Sequence, residues 1–240
     1  STIDIDVKTD LDVWCKFDHI ISISDACTAA FLKIHPSLSA KVLVVENITS
    51  PEYIQIMAEK PLENIFSKDS FNIVSVGRLC HAKGYDRAVE VLKTIHQKGF
   101  GHIKWYIVGD GGDKTKIEAL IERYDLQNSF ILLGSTTNPY PYIKAAGLYI
   151  QPSRYEGKAV TIAEAQILAK PVLITNYTTS ASQINHNVDG FICEQNIECI
   201  ADTVIKIYQD ESLRNKLSFY CKEQDYSNKE ELEKLYRLFN

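Results

Sequence analysis

Two cations, Arg78 and Lys83, stand five residues apart in the segment Gly77-Arg78-Leu79-Cys80-His81-Ala82-Lys83-Gly84. Cations so spaced, between glycines that let a backbone come close, suit the neutralisation of a diphosphate. The alternative is a surface loop with two solvated cations. No Gly-Lys-Ser/Thr follows, so the segment is not a P-loop. Two carboxylates, Glu156 and Glu164, lie with seven residues between them in Glu156-Gly157-Lys158-Ala159-Val160-Thr161-Ile162-Ala163-Glu164. A helix beginning near Ala159 or Val160 would aim its free backbone N–H groups at an anion. Glu156 would stand in the loop beside that site and Glu164 about one turn into the helix. This spacing suits two carboxylates that accept hydrogen bonds from hydroxyls on either side of a bound diphosphate. Two competing readings stay open: Glu164 closes a capping box with Thr161, and Glu156 is an acid favoured by the helix dipole. Gly109-Asp110-Gly111-Gly112 has the start of a dinucleotide fingerprint, but Lys114 takes the place of the third glycine. It reads as a tight turn that lets backbone approach a ligand.

These segments need a frame. Short apolar runs at 71–76, 103–108, 130–133, 148–151, 172–175 and 191–193 predict strands covered on both faces. Helical spacing fills the gaps: 86–98, stopped by Gly99; 114–124; and 161–169, halted by Pro171. Alternating strands and helices predict an α/β fold with a doubly wound, Rossmann-like parallel sheet. In such sheets ligands sit beyond the C-terminal strand ends, where all three chemistry-bearing segments fall. Upstream, 19–24 and 41–45 read as strands around a helix at 25–35, and 46–60 as a linker with a short helical piece. Downstream, 197–208, 213–221 and 227–239 read as helices, the last with capping-box spacing at Ser227 and Glu230. The organisation expected is 1–61 as the tail of one domain plus linker, 62–222 as a complete domain, and 223–240 as a helix packing back on the N-terminal part.

The chain has 240 residues, 45 % of them apolar, enough for one large core and part of a second domain. A net charge of −5 without a basic stripe argues against a nucleic-acid partner. No run approaches the ~18 apolar residues that span a bilayer, and the polar, acidic first ten residues are unlike a signal peptide. The six cysteines lack C-x-x-C and zinc spacing and read as thiols in a reducing cytoplasm.

In order along the chain, Gly77-Arg78-Leu79 with Lys83-Gly84, Val108-Gly109-Asp110-Gly111, and Pro152-Ser153 with Glu156 and Glu164 resemble the large family-four group of retaining GT-B glycosyltransferases. Asp18-His-Ile-Ile-Ser-Ile-Ser24 and Val45-Glu-Asn47 resemble the late part of that family's N-terminal domain. The particular likeness is to bacterial enzymes that build capsular, exo- or lipopolysaccharide. The resemblance implies a donor-binding C-terminal half, with Arg78, Lys83 and Glu156 as the catalytic set. Arg78 and Lys83 would contact the donor diphosphate and Glu156 the sugar hydroxyls. Gly77, with the backbone N–H groups of Gly157, Lys158, Ala159 and Val160, would lie against phosphate or sugar. Glu164 would hold the ribose, and Leu133 and Gly134 would lie near the base. No metal or other cofactor is implied, because a cationic pair and a helix N-terminus can stand in for a metal at a leaving diphosphate. Retention in this group proceeds by front-face displacement, so Glu156 is not read as a covalent nucleophile.

The partners implied are a nucleotide sugar and a glycan or lipid-linked acceptor. A cytoplasmic place, at the inner face of the membrane, goes with peripheral contact through the N-terminal part. Apolar residues of 3–60 and of the last helix would pack on each other or on a second copy. Alternatives on the same fold are a nucleotide-sugar epimerase and a non-catalytic binding module. There are departures from the family pattern. Lys158 replaces a bulky aromatic, Ala169-Lys170-Pro171 lacks a glycine, and Ser180-Ala181-Ser182-Gln183 stands where an acid is common. His81 reads as a simple loop histidine. The short N-terminal part leads to the expectation that this chain binds a nucleotide or nucleotide sugar without transferring the sugar alone.

Overall fold

The structure, a computed structural model, describes residues 7–62 and 66–239. They divide into two compact units, residues 7–48 with 228–239, and residues 49–62 with 66–227.

In the smaller unit helix α1 (Val7–Trp14) is followed by strand β1 (Ile20–Ser22), helix α2 (Asp25–Ile34) and strand β2 (Val42–Val44). β1 and β2 pair in parallel, Ile20 opposite Val42. Ser24 caps α2 by accepting the Cys27 N–H at 3.2 Å, and Trp14 packs edge-on against Phe31.

The larger unit begins with α3 (Pro51–Ala58), so the helical piece expected within 46–60 is a full helix belonging to this unit. Then come β3 (Phe71–Val76), α4 (Tyr85–Gln97), β4 (Ile103–Val108), α5 (Lys114–Arg123), β5 (Phe130–Gly134), α6 (Tyr140–Ala145) and β6 (Leu148–Gln151). They are succeeded by α7 (Val160–Ile167), β7 (Val172–Thr175), β8 (Phe191–Cys193), α8 (Ile197–Gln209) and α9 (Glu211–Glu223). The six strands β3–β8 form one parallel sheet in the order β5-β4-β3-β6-β7-β8. The chain winds one way from β3 and the other way from β6, which makes their shared edge the switch point.

Burial follows the apolar runs. One sheet face packs Ile73, Trp105 and Leu148 under Leu92, Ile117, Val204 and Leu217. The other packs Val74, Tyr106 and Tyr149 under Ile143, Ile162 and Tyr177. A polar link crosses the middle of the sheet: Trp105 Nε1 donates to Ser75 Oγ at 2.9 Å, and Ser75 Oγ donates to the Ile150 carbonyl at 2.5 Å. These groups are buried, and the chain of bonds satisfies each without water. Gly99, at φ +95°, ends α4 in a conformation a side chain would resist.

The last helix, α10 (Lys229–Phe239), belongs to the smaller unit. Its Glu231 is buried and accepts the Glu46 N–H at 2.8 Å.

Candidate donor site at the sheet switch point

Beyond the C-terminal ends of β3 and β6 lies a cleft of about 460 Å³. Its walls are the loop after β3, with Gly77, Arg78, Cys80, Ala82 and Lys83, and the loop after β6 running into α7, from Tyr155 to Thr161. Eight of the residues named from sequence thus meet in one place: Gly77, Arg78, Lys83, Glu156, Gly157, Lys158, Ala159 and Val160. Leu133, Gly134 and Glu164 do not line it.

The β3 loop is fixed by backbone. The Gly77 N–H donates to the Val108 carbonyl at 3.0 Å, and the Leu79 N–H to the Asp110 carbonyl at 3.0 Å. A Cβ on Gly109, at φ +155°, would stand 2.0 Å from the Gly77 carbonyl oxygen. One on Gly111 would stand 2.5 Å from that of Leu79. The glycine turn after β4 therefore lets backbone approach backbone. Gly84, at φ +69°, does the same where the loop enters α4, since a Cβ there would meet the Pro152 carbonyl at 2.3 Å.

The β6 loop is fixed by side chains. Glu156 Oε1 accepts from Lys83 Nζ at 2.6 Å, from Ser153 Oγ at 2.6 Å and from Gln151 Nε2 at 3.0 Å. Arg154 clamps the two loops. Its guanidinium binds both oxygens of Asp86, at 2.8 and 3.1 Å, and the His81 carbonyl at 2.8 Å. Thr179 Oγ1 donates to the Glu156 carbonyl at 2.9 Å, and the Thr175 hydroxyl donates to the Ser153 carbonyl.

Helix α7 starts at Val160, within the range expected from the sequence. The Ala159 N–H, expected to lie against phosphate or sugar, donates within the protein to Gln183 Oε1 at 2.7 Å. The neutral Gln183 carboxamide closes this amide without adding a charge. The amides of Val160 and Thr161 open the helix, where no intrahelical acceptor exists for them. Glu164 makes no capping box, because Thr161 is already the second helical residue. Its carboxylate instead accepts from the Tyr140 hydroxyl at 3.1 Å.

The charges differ sharply in setting. Arg78 is exposed and has no protein hydrogen bond or ion pair among the described residues. Lys83 is partly buried and paired with Glu156, whose side chain is only 12 % exposed. Burial pushes the Glu164 carboxyl above its ordinary range, offset in part by the bond from Tyr140. Burial, then the facing Glu164 charge, pushes the Tyr140 hydroxyl up to about 12. Burial alone would raise Asp86, but the hydrogen bonds from Arg154 and Lys116 hold it well below the usual carboxylate range. Among the described residues no group of three or more His, Cys, Asp and Glu side chains is placed to hold a metal ion.

Sequence reasoning missed the residues that hold the site together. Gln151 was visible only as the polar end of an apolar strand. The Asp86–Arg154 pair joins residues 68 apart and has no local signature.

A doubly wound sheet with a cationic cleft at its switch point is the Rossmann-like half of a GT-B protein. The chain belongs to the family of glycosyl transferases group 1, which matches residues 58–224. It is similar to the poly(ribitol-phosphate) alpha-N-acetylglucosaminyltransferase of Staphylococcus aureus, 28 % identical over 212 residues, 80 % of this chain and 43 % of that protein. It is also similar to the capsular polysaccharide biosynthesis glycosyltransferase CapM of Staphylococcus aureus, 27 % identical over 242 residues, 95 % of this chain and 63 % of that protein. Among solved structures, a mutant of S. aureus TarM in complex with fondaparinux, alpha-GlcNAc-glycerol and UDP shares the fold. Its TM-score is 0.80 at 23 % identity, covering 100 % of this chain and 48 % of that one. The chain thus spans about half the length of several of the curated relatives it matches.

Proposed function

We propose that this chain is the donor-binding part of a retaining glycosyltransferase. The whole enzyme moves a sugar from a nucleotide-diphosphate sugar to a glycan or lipid-linked acceptor in bacterial surface polysaccharide synthesis. The observation that carries this reading is the single cleft in which Arg78, Lys83, Glu156 and the start of α7 converge at the β3/β6 switch point. Arg78 and Lys83 offset the charge that grows on the leaving diphosphate, aided by the first amides of α7. Glu156 has three donors on Oε1 and none on Oε2 among the described residues, so Oε2 is the atom left to accept from sugar hydroxyls. Glu164 and Tyr140 serve the nucleoside side. The names of two relatives support retention, because both specify an alpha linkage and the common nucleotide hexoses are themselves alpha-linked. Among the described residues no helix is long and apolar enough to cross a membrane.

Calorimetry of this chain with UDP, GDP and their sugars tests the reading. Arg78→Ala or Lys83→Ala is expected to weaken the nucleotide that binds by about 1–3 kcal/mol, the scale of charge-assisted hydrogen bonds. Glu156→Gln should mainly lower transfer and the sugar contribution to binding, and Glu164→Ala should weaken the free nucleotide as well. Unchanged affinity in the Arg78 and Lys83 variants would remove the cleft from the donor site. The acceptor must be oriented in a water-excluded cleft before transfer. This chain is therefore expected to bind the donor without turnover, while its longer parent turns over. Robust transfer by the 240-residue chain would place the acceptor site within it.

A further inference from the structure

Beneath the cleft floor lies a hydrogen-bonded relay in which every donor points the same way. Tyr149 Oη donates to Gln151 Oε1 at 2.7 Å. Gln151 Nε2 then donates to Ser153 Oγ at 2.9 Å and to Glu156 Oε1 at 3.0 Å. Ser153 Oγ in turn donates to Glu156 Oε1 at 2.6 Å. Thr161 Oγ1, from the first turn of α7, leans on Gln151 Oε1 at 3.4 Å. Tyr149, Gln151 and Ser153 are fully buried, so none of these polar groups has water as a substitute partner. The two ends of the Gln151 amide cannot be exchanged. Its oxygen faces two hydroxyl donors and its nitrogen faces a carboxylate, so the amide can sit only one way round.

We propose that Gln151 is the positioning residue of the donor site. Its carboxamide fixes the Glu156 carboxylate so that Oε1 is occupied by protein donors and Oε2 alone is presented to the sugar, while Lys83 is held beside it. The inference rests on the reading of Glu156 as the sugar-binding carboxylate. Gln151 touches no substrate, and its effect passes through Glu156. A glutamine whose role was only to fill space would be replaced equally well by any side chain of its size. A glutamine acting as a donor would not.

That difference defines the test. Gln151→Met keeps the length and removes the N–H donors. Gln151→Glu keeps the shape but sets a second carboxylate opposite Glu156. Wild type and both variants are titrated by calorimetry with UDP, GDP, UDP-glucose, UDP-N-acetylglucosamine and GDP-mannose. The readout is the ratio of nucleotide-sugar affinity to free-nucleotide affinity. The expected result is free-nucleotide affinity within about twofold of wild type in Gln151→Met, with the sugar advantage reduced about tenfold and reduced further in Gln151→Glu. A packing role predicts that Gln151→Met, which keeps the size, retains the full sugar advantage. Equal loss of both ligands, or no loss of either, would overturn the proposal.

A second measurement needs no ligand. The coupling between Lys83 and Glu156 in thermal unfolding is measured with Lys83→Met, Glu156→Gln and the double variant, in the wild-type and Gln151→Met backgrounds. The coupling should fall by half or more when Gln151 is replaced, and an unchanged coupling would overturn the proposal. If no nucleotide in the panel binds wild type, the donor reading fails, while this cycle still decides whether Gln151 positions Glu156.

Discussion

The two loops that form the cleft are built by opposite means. The loop after β3 is held by close backbone approach, with Gly109 and Gly111 admitting Gly77 and Leu79 at distances a Cβ would close. The loop after β6 is held by side chains, through Gln151, Ser153, Arg154, Thr179 and Gln183. A contact between backbones tolerates no gradation, since a single methyl group either fits or displaces a loop. A side-chain network weakens bond by bond. The cationic wall should therefore fail abruptly under substitution and the carboxylate wall gradually.

The largest effect should come from Gly109→Ala. Its methyl would fall 2.0 Å from the Gly77 oxygen, on a backbone with φ +155°, so the turn after β4 and the β3 loop must separate. We expect a loss above about 3 kcal/mol in urea unfolding, together with loss of nucleotide binding. A well-folded Gly109→Ala protein with normal affinity would break the comparison. Next comes Arg154→Ala, which strips Asp86 of its bidentate partner at a position only partly open to solvent. A cost of about 2–3 kcal/mol is expected by the same measurement, with a weakened but detectable cleft.

The same clamp has a pH signature. Asp86 titrates below its ordinary range in the folded protein. Its contribution is therefore present above about pH 4, the unfolded value, and is lost as pH falls toward the folded one. Asp86→Asn should lower stability by about 1–2 kcal/mol near neutrality, and the gap to wild type should narrow at low pH. A gap that widened on acidification would show that burial, not Arg154, governs this carboxyl. The smallest effect is expected for Gly134→Ala. Its φ is +77° but nothing lies within 4 Å of the added methyl, so the cost is about 1 kcal/mol of backbone strain. Unfolding midpoints of the three glycine-to-alanine variants at 84, 109 and 134 would rank contact against strain alone.

The sheet was legible because strands buried on both faces announce themselves as continuous apolar runs. Five of the six, at 71–76, 103–108, 148–151, 172–175 and 191–193, fall on the observed residues, and the sixth extends to Gly134. Helix α6 was not legible: six residues flanked and interrupted by Pro139 and Pro141 carry too little periodicity. The cleft was legible at its charged residues, Arg78, Lys83 and Glu156. It was illegible where neutral groups do the holding. Nothing in the spacing of Gln151, Gln183 and Tyr140 tells that their amides and hydroxyl meet Glu156, the start of α7 and Glu164. Such bonds are set by tertiary approach, which periodicity does not encode. The same holds for the glycine turn after β4, whose small residues fit a ligand or a neighbouring loop equally well on paper.

The hydrogen bond from Trp105 to Ser75, at the centre of the large sheet, also has an optical consequence. The chain has two tryptophans, and each compact unit holds one, Trp14 in the smaller and Trp105 in the larger. Trp105 is fully buried, with its indole N–H tied to a hydroxyl inside the sheet, so it should emit toward the blue. Trp14 is partly open to solvent and should emit toward the red. The two units thus carry separate built-in dyes, and replacing either indole with phenylalanine would leave a chain whose fluorescence tracks the melting of one unit alone.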